Sequence, residues 1–198
     1  MTTASELTIK TDRLILRPFE KQDLDEVLAY YALPDVQRYL EWKARDAGEA
    51  KSAFDAMRKQ TRLTRPGDIM SFAVVRKADG KVLGHTSLKW TDATANQGEL
   101  RFAIAPTFRK HGYGGEAVKA LISYAFDRHK LHRVFARTAG KNEASARLLK
   151  SLGLRLEAHY REHAIFQGEW DEELHFAILD REWQRGAKVR EISRHKVA

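Results

Sequence analysis

The apolar and polar positions along the chain divide it into short strands and helices. Leu14-Ile-Leu16 is an apolar run before Pro18, which reads as a strand closed by proline. From Glu20 to Tyr31, the residues Leu24, Val27, Leu28 and Tyr31 recur at helical spacing, and Pro34 is expected to end that helix. A second helix is expected from Ala47 to about Arg62 on the stripe Ala50, Phe54, Met57, with Asp46 and Glu49 forming a capping box. Ile69–Arg76 and Lys81–Trp90 flank Ala78-Asp79-Gly80, a strong turn sequence, and predict a hairpin. Glu99–Ile104 is a short strand that stops before Pro106. Val118, Leu121, Ile122, Ala125 and Phe126 form the cleanest amphipathic stripe. Arg133–Arg137 reads as a strand. Asn142 can cap a helix to Leu152, with Gly153 just past its C-cap. Two last strands, Leu154–Phe166 and Trp170–Leu179, flank Gln167-Gly168-Glu169.

The resulting order, β-α-α-β-β-β-α-β-α-β-β, predicts an α/β (α+β) fold in which helices flank one central, mostly antiparallel sheet. No repeat, low-complexity tract or linker divides the 198 residues. Apolar content of 43% and charged content of 31% are those of an ordinary globular chain, long enough to bury a core unaided. No apolar run reaches the roughly 18 residues of a membrane span. Met1-Thr-Thr-Ala-Ser-Glu6 lacks the layout of a secretory signal, so a cytoplasmic protein is expected. The absence of cysteine excludes disulfides, a thiol nucleophile and thiolate metal sites. The eight histidines show no zinc-type spacing, so no metal is expected, and Glu172-Glu173-x-His175 reads as alternating surface charge.

The net charge of +8 favours an anionic partner. Half of it lies at the end of the chain: residues 181–198 hold six Lys or Arg against two Glu, a balance of +4. Nucleic-acid binding is therefore only weakly motivated. A homodimer is the common assembly for such a chain.

The segment Arg109-Lys-His-Gly112-Tyr-Gly114-Gly115 lies between a strand and a helix. A helix start offers unpaired N–H groups and a positive dipole end, and glycines let a phosphate approach the backbone. Arg109, Lys110 and His111 add positive or protonatable side chains. The Walker pattern is absent. The dinucleotide pattern matches formally through Gly112, Gly114 and Ala117, but Pro106 separates it from the strand, and Arg137-Thr138 stands where a ribose-binding acid is needed.

Arg109-x-x-Gly112-x-Gly114 instead satisfies R/Q-x-x-G-x-G/A, and here the chain resembles the GNAT superfamily of acetyl-coenzyme A-dependent N-acetyltransferases. Asn142-Glu-Ala-Ser145-Ala-Arg147-Leu-Leu-Lys-Ser-Leu-Gly153 looks like the helix that flanks the pantetheine arm in that superfamily. Thr11-Asp-Arg-Leu-Ile-Leu-Arg17-Pro and Arg161-Glu-His…Gly168-Glu-Trp170-Asp…Ala177-Ile-Leu resemble the ribosomal-protein N-terminal acetyltransferase branch. The resemblance covers residues 8–183 as one domain and leaves 184–198 as a basic tail.

It implies an acetyl donor, acetyl-CoA, and an acceptor that is a primary amine of a protein N-terminus or a small molecule. It also implies a bulge late in the strand before the glycines, placing an oxyanion-binding backbone at Phe102, Ala103 and Ile104. Arg109, Lys110, His111, Gly112, Tyr113, Gly114, Gly115, Asn142 and Ser145 would complete the cofactor contacts. Glu99 and Glu162 are the candidates for the base. Ser145 stands in for the tyrosine that many members place in the last helix, where this chain has Leu148-Leu149-Lys150. His85 and His163 are further pocket candidates. A non-catalytic acetyl-CoA-binding regulator is the alternative reading.

Overall fold

The computed structural model describes residues 7–39, 46–166 and 168–186. The strands are β1 (Ile9–Lys10), β2 (Leu14–Arg17), β3 (Ile69–Arg76), β4 (Val82–Asp92), β5 (Gln97–Ile104), β6 (Arg133–Ala139), β7 (Arg155–Phe166) and β8 (Glu169–Leu179). The helices are α1 (Leu24–Tyr31), α2 (Pro34–Gln37), α3 (Ala47–Lys59), α4 (Tyr113–His129) and α5 (Glu143–Ser151). The strands form one sheet in the order β1-β2-β3-β4-β5-β6-β8-β7. Every neighbouring pair is antiparallel except β5 and β6.

Alternation along the strands sends side chains to two cores, one on each face. Met70, Phe72 and Val74 of β3 join Leu88 of β4 and Leu100 of β5 on the face covered by α4. There α4 buries Ala117, Val118, Leu121, Ile122, Ala125 and Phe126. Leu121 is fully buried, and truncating it to Ala would cost about 2–5 kcal/mol. Ala73 and Val75 of β3 face the other way and meet Val27 and Tyr30 of α1 and Phe54 of α3.

The expected β-hairpin, the long central helix and the capped α5 are all present. Asp46 accepts a hydrogen bond from the Glu49 amide at 2.9 Å, and Gly153 follows α5 with φ +92°. Other boundaries differ for local reasons. The first helix begins as a single 3-10 turn, Lys21–Asp23. There the buried Asp23 carboxylate takes a two-pronged contact from Arg17 at 2.7 and 2.8 Å. Pro34 not only follows the end of α1 but opens α2, where its missing N–H costs nothing. Helix α3 stops at Lys59 rather than near Arg62. Strand β1 has only two residues, too few to carry a pattern.

Residues 180–186 are helical, and Trp183 is buried in the α4-side core with its Nε1 donating to Ser123 at 3.1 Å. The expected boundary between residues 183 and 184 thus falls inside a helical stretch. The rest of the basic tail, residues 187–198, lies outside the described residues. Among the described residues, no helix is long and apolar enough to cross a membrane.

Candidate active site

The parallel pair β5–β6 is in register only at Gln97↔Arg133, Gly98↔Val134 and Glu99↔Phe135. Beyond Glu99 the two strands diverge and the sheet opens. The β4–β5 register, by contrast, is unbroken from Gly84↔Ile104 to Trp90↔Gly98. The opening therefore arises from the departure of β6, not from the bulge in β5 that the resemblance implied. Ala105 donates to the Leu83 carbonyl at 2.8 Å, which fixes the alternation of the antiparallel ladder. Ala103 and Arg101 then turn their backbone groups to β4, while Phe102 and Ile104 turn theirs into the opening. The Ile104 carbonyl accordingly accepts from Arg109 Nε at 3.1 Å.

At the end of β5 the chain makes the turn that starts α4. Gly112 is the N-cap residue with φ +81°, a left-handed conformation that glycine adopts without strain. The Glu116 amide is the first to bond back, to the Gly112 carbonyl at 3.1 Å. The amides of Tyr113, Gly114 and Gly115 have no acceptor within the helix. A Cβ on Gly114 would lie 3.1 Å from Leu148 and 3.5 Å from Ile104, so glycine lets α4 close on β5 and α5. A Cβ on Gly115 would meet nothing within 4 Å, which leaves open space beside those amides. Free N–H groups, a positive helix end, open space and Arg109 with Lys110 fit a pyrophosphate.

Arg13, just before β2, braces this turn. Its backbone amide and Nε bind Glu116 at 2.9 and 2.7 Å, its Nη1 donates to the His111 carbonyl at 2.9 Å, and its guanidinium covers the Tyr113 ring at 4.6 Å. Sequence reasoning did not single out Arg13; the only signal was its place in the Thr11–Pro18 opening segment. His111 does not border the cavity. Its Nδ1 meets the Arg109 carbonyl at 2.7 Å and its ring stacks on Tyr113 at 6.0 Å.

Helix α5 supplies the opposite wall. Asn142 caps it by accepting from the Ser145 amide at 3.2 Å. The cap is thus the Asn142 side chain, and Ser145 contributes its backbone to the cap while bordering the cavity.

On the other face of the sheet, Tyr30, Tyr31 and His85 stack, with adjacent ring centroids 4.8 and 5.5 Å apart. The Tyr30 hydroxyl meets His85 Nδ1 at 2.8 Å. Burial pushes the His85 imidazole down to about 4 and holds both tyrosines above the ordinary phenol value. His85 is therefore neutral at pH 7.

Glu99 sits at the apex of the opening with only 4% of its surface exposed. Its oxygens accept from Arg137 Nε at 2.9 Å and Arg101 Nη2 at 3.1 Å. Burial pushes its carboxyl up, but the two guanidiniums outweigh this and hold it below the ordinary carboxylate value. Arg101 and Arg137 border the cavity; Glu99 lies beneath them. Glu162 is exposed, has φ +49° in an irregular stretch of β7, and does not border the cavity. His163, its neighbour, does. Glu173, expected to be surface charge, is half-buried at the cavity wall, 3.8 Å from Arg137 and 2.5 Å from His175. Among the described residues no three His, Asp or Glu side chains gather as a metal site.

One cavity of about 1740 Å³ runs from the glycine turn, through the opening, to the aromatic stack. It exceeds the usual range of a single small-ligand pocket, roughly 300–1,000 Å³, and leaves room for a long cofactor and a second substrate. Phe102, Ala103, Ile104, Arg109, Lys110, Gly112, Tyr113, Gly114, Gly115, Asn142 and Ser145 all border it.

A split sheet with a glycine turn at the next helix that fits a pyrophosphate is the arrangement expected of an acetyl-coenzyme A-dependent acyltransferase. The sequence matches the acetyltransferase (GNAT) domain over residues 13–155, and the chain belongs to that family. It is similar to an uncharacterised N-acetyltransferase, YnaD, of Bacillus subtilis, with 28% identity over 88% of this chain and 98% of the relative. It is also similar to the ribosomal protein uS5-alanine N-acetyltransferase of Escherichia coli, with 22% identity over 91% of this chain and 95% of that one. Among solved structures, a GNAT acetyltransferase from Bacillus anthracis superposes with a TM-score of 0.77 at 25% identity, covering 88% of this chain and 99% of the other. The protein is an acetyl-CoA-dependent N-acetyltransferase.

Proposed function

We propose that the protein acetylates a primary amine, on a protein N-terminus or a small molecule, by direct attack in a ternary complex within this cavity. The observation that carries the reading is the continuity of the cavity. The glycine turn at one end and the His85 side at the other meet at the opening beyond Glu99, so two substrates could approach from opposite faces of the sheet.

Acetyl-CoA would supply the activated acyl group and the thiolate leaving group. The amides of Tyr113, Gly114 and Gly115, with Arg109 and Lys110, would hold its pyrophosphate, and Asn142 with Ser145 would line the arm. The amine nitrogen attacks the acetyl carbon, the N–C bond forms, the C–S bond breaks, and the amine gives up a proton. The backbone amides of Phe102 and Ile104 face the place where negative charge would develop on the carbonyl oxygen. The Ser145 hydroxyl would donate a hydrogen bond to the departing sulfur. Glu99 acts as the anchor of Arg101 and Arg137 rather than as the group that takes the proton. Glu162 does not border the cavity, and in this reading the proton passes to water.

Calorimetric titration with acetyl-CoA, followed in the same preparation by a free-thiol assay against amines and peptides, tests this. Binding with thiol release is expected. Saturation by acetyl-CoA without thiol release from any amine would defeat it and favour the regulatory binder.

A further inference from the structure

We propose that Glu173, held in place by His175, accepts through a water molecule the proton that the acceptor amine loses. This rests on the amine-acetylation reading above. Arg137 and Ala139 follow Phe135, the β6 partner of Glu99, at every second position, and they pair with His175 and Glu173 of β8. Period-two alternation therefore puts Glu99, Arg137, His175 and Glu173 on one face. Ala103 and His85 share that face with Glu99. Glu173 is level with Ala139, beyond the point where β5 and β6 part, and its half-buried side chain borders the cavity.

A proton acceptor needs an oxygen that is not already committed. The acids bordering the cavity are Asp35, Asp46, Glu143, Asp171 and Glu173. Asp46 caps α3, Glu143 pairs with Arg147 at 2.7 Å, and Asp35 is exposed on α2. Asp171 lies nearer the β7–β8 turn, past the last β6 pairing, where it feels the Lys141 charge. The buried Glu99 takes hydrogen bonds from two guanidiniums. Glu173 differs from all of these. His175 Nε2 lies 2.5 Å from its Oε1 and, with the carboxylate ionised, donates to it. Its Oε2 is 3.8 Å from Arg137 Nη1, near enough for charge attraction but beyond hydrogen-bond length. Among the described residues, the imidazole thus fixes one oxygen and the other is left to take a proton. His175 does not border the cavity and acts by positioning. The other titratable groups facing this pair are Tyr160 of β7, whose ring packs on His175 at 4.9 Å, and His163, whose ring packs on Tyr160 at 5.5 Å.

As the amine nitrogen bonds to the acetyl carbon, its proton moves to the water, and a proton of that water moves to Glu173 Oε2. The electrons of the C–S bond leave with the sulfur. Bulk water takes the proton from Glu173 when product departs.

The best acceptor from the thiol-release panel would be followed in single turnovers from about pH 6.5 to about pH 9.5, across the range where amines lose their proton. Glu173→Gln, which keeps the shape of the side chain, should slow thiol release about a hundredfold at pH 7 without weakening acetyl-CoA binding. The loss should shrink as pH rises, because hydroxide then removes the proton unaided. His175→Phe should slow release about tenfold with the same trend, as for one lost hydrogen bond to a charged group. It decides the matter if Glu173→Gln does not fold. An unchanged rate in the deciding variant overturns the proposal and leaves amine acetylation standing. So does a loss equal at every pH, which a merely structural wall would give. A wild type that binds acetyl-CoA but releases thiol with no amine would defeat amine acetylation itself, and this inference with it.

Discussion

The guanidinium of Arg137 on β6 reaches the carboxylate of Glu99 on β5 at 2.9 Å, at the point where the two strands stop pairing. The contact replaces a lost ladder with an ion pair and holds the mouth of the opening. Because Arg137 and Arg101 keep Glu99 ionised well below neutral pH, its charge does not change in the working range. Glu99→Gln should therefore lower kcat by a factor that stays constant from about pH 6.5 to about pH 9, where an ordinary glutamate is also fully ionised. A loss that vanishes at high pH would return Glu99 to the role of base. The stability consequence has a defined sign. A depressed carboxylate pKa contributes stability that is present above the ordinary glutamate value and is lost as pH falls through the folded value. The difference in Tm between wild type and variant should shrink in acid.

Gly115 offers a cleaner probe of the proposed pyrophosphate site than Gly114. A side chain at Gly114 would press on Leu148, whereas one at Gly115 enters open space. Gly115→Glu should keep its Tm near that of wild type and weaken acetyl-CoA binding by at least about tenfold, or 1.4 kcal/mol. Calorimetry on both proteins decides it; undiminished affinity would move the pyrophosphate elsewhere.

Ser145 and Asn142 separate chemistry from capping. Ser145→Ala removes a hydroxyl at the cavity but leaves the amide that Asn142 caps. It should reduce kcat by about tenfold with little change in acetyl-CoA affinity, the loss expected for one hydrogen bond to a charged group. Asn142→Ala should cost about 1 kcal/mol of stability through the lost cap. Thermal melts and single-turnover rates on the two variants would test the division.

His85 predicts an acid-sensitive step in stability. Its imidazole titrates at about 4 in the folded protein against about 6.5 unfolded. Between these values the unfolded chain binds the proton and the folded one does not, so stability falls as pH drops from about 6.5 to about 4 and levels off below. The loss should be on the order of 3 kcal/mol. His85→Gln should lack this portion in denaturant melts across that pH range.

Glu162 adopts φ +49° in β7, a region that penalises residues with a Cβ. Glu162→Gly should leave kcat unchanged and raise stability by up to about 1 kcal/mol. A collapse of activity would bring Glu162 back into the site.

The glycine turn and the two helices that frame it were legible in the sequence because their signals are local. Gly112 and Gly114 sit at a fixed spacing, α4 carries a five-residue apolar stripe, and Asn142 stands at a helix start. The floor of the cavity was not legible. Arg101, Arg137 and Glu173 come from three strands, and only the register β5-β6-β8 places them around one carboxylate. Glu173 looked like surface charge because alternation on a strand gives the face of a residue but not what covers it. Arg13 stands 103 residues before its partner Glu116, a separation that no periodicity reports.

The sheet order has a consequence for how the molecule comes into being. Strand β8 lies between β6 and β7, so the last strand of the sheet in the chain is inserted between two earlier ones. During synthesis from the N-terminus, β7 emerges before the strand that joins it to the sheet. A nascent chain that has made both the glycine turn and α5 still lacks Glu173 and one wall of the cavity. Catalytic competence therefore arrives as a late, long-range event, and a chain halted before Glu169 would display an unpaired β7 edge open to foreign strands.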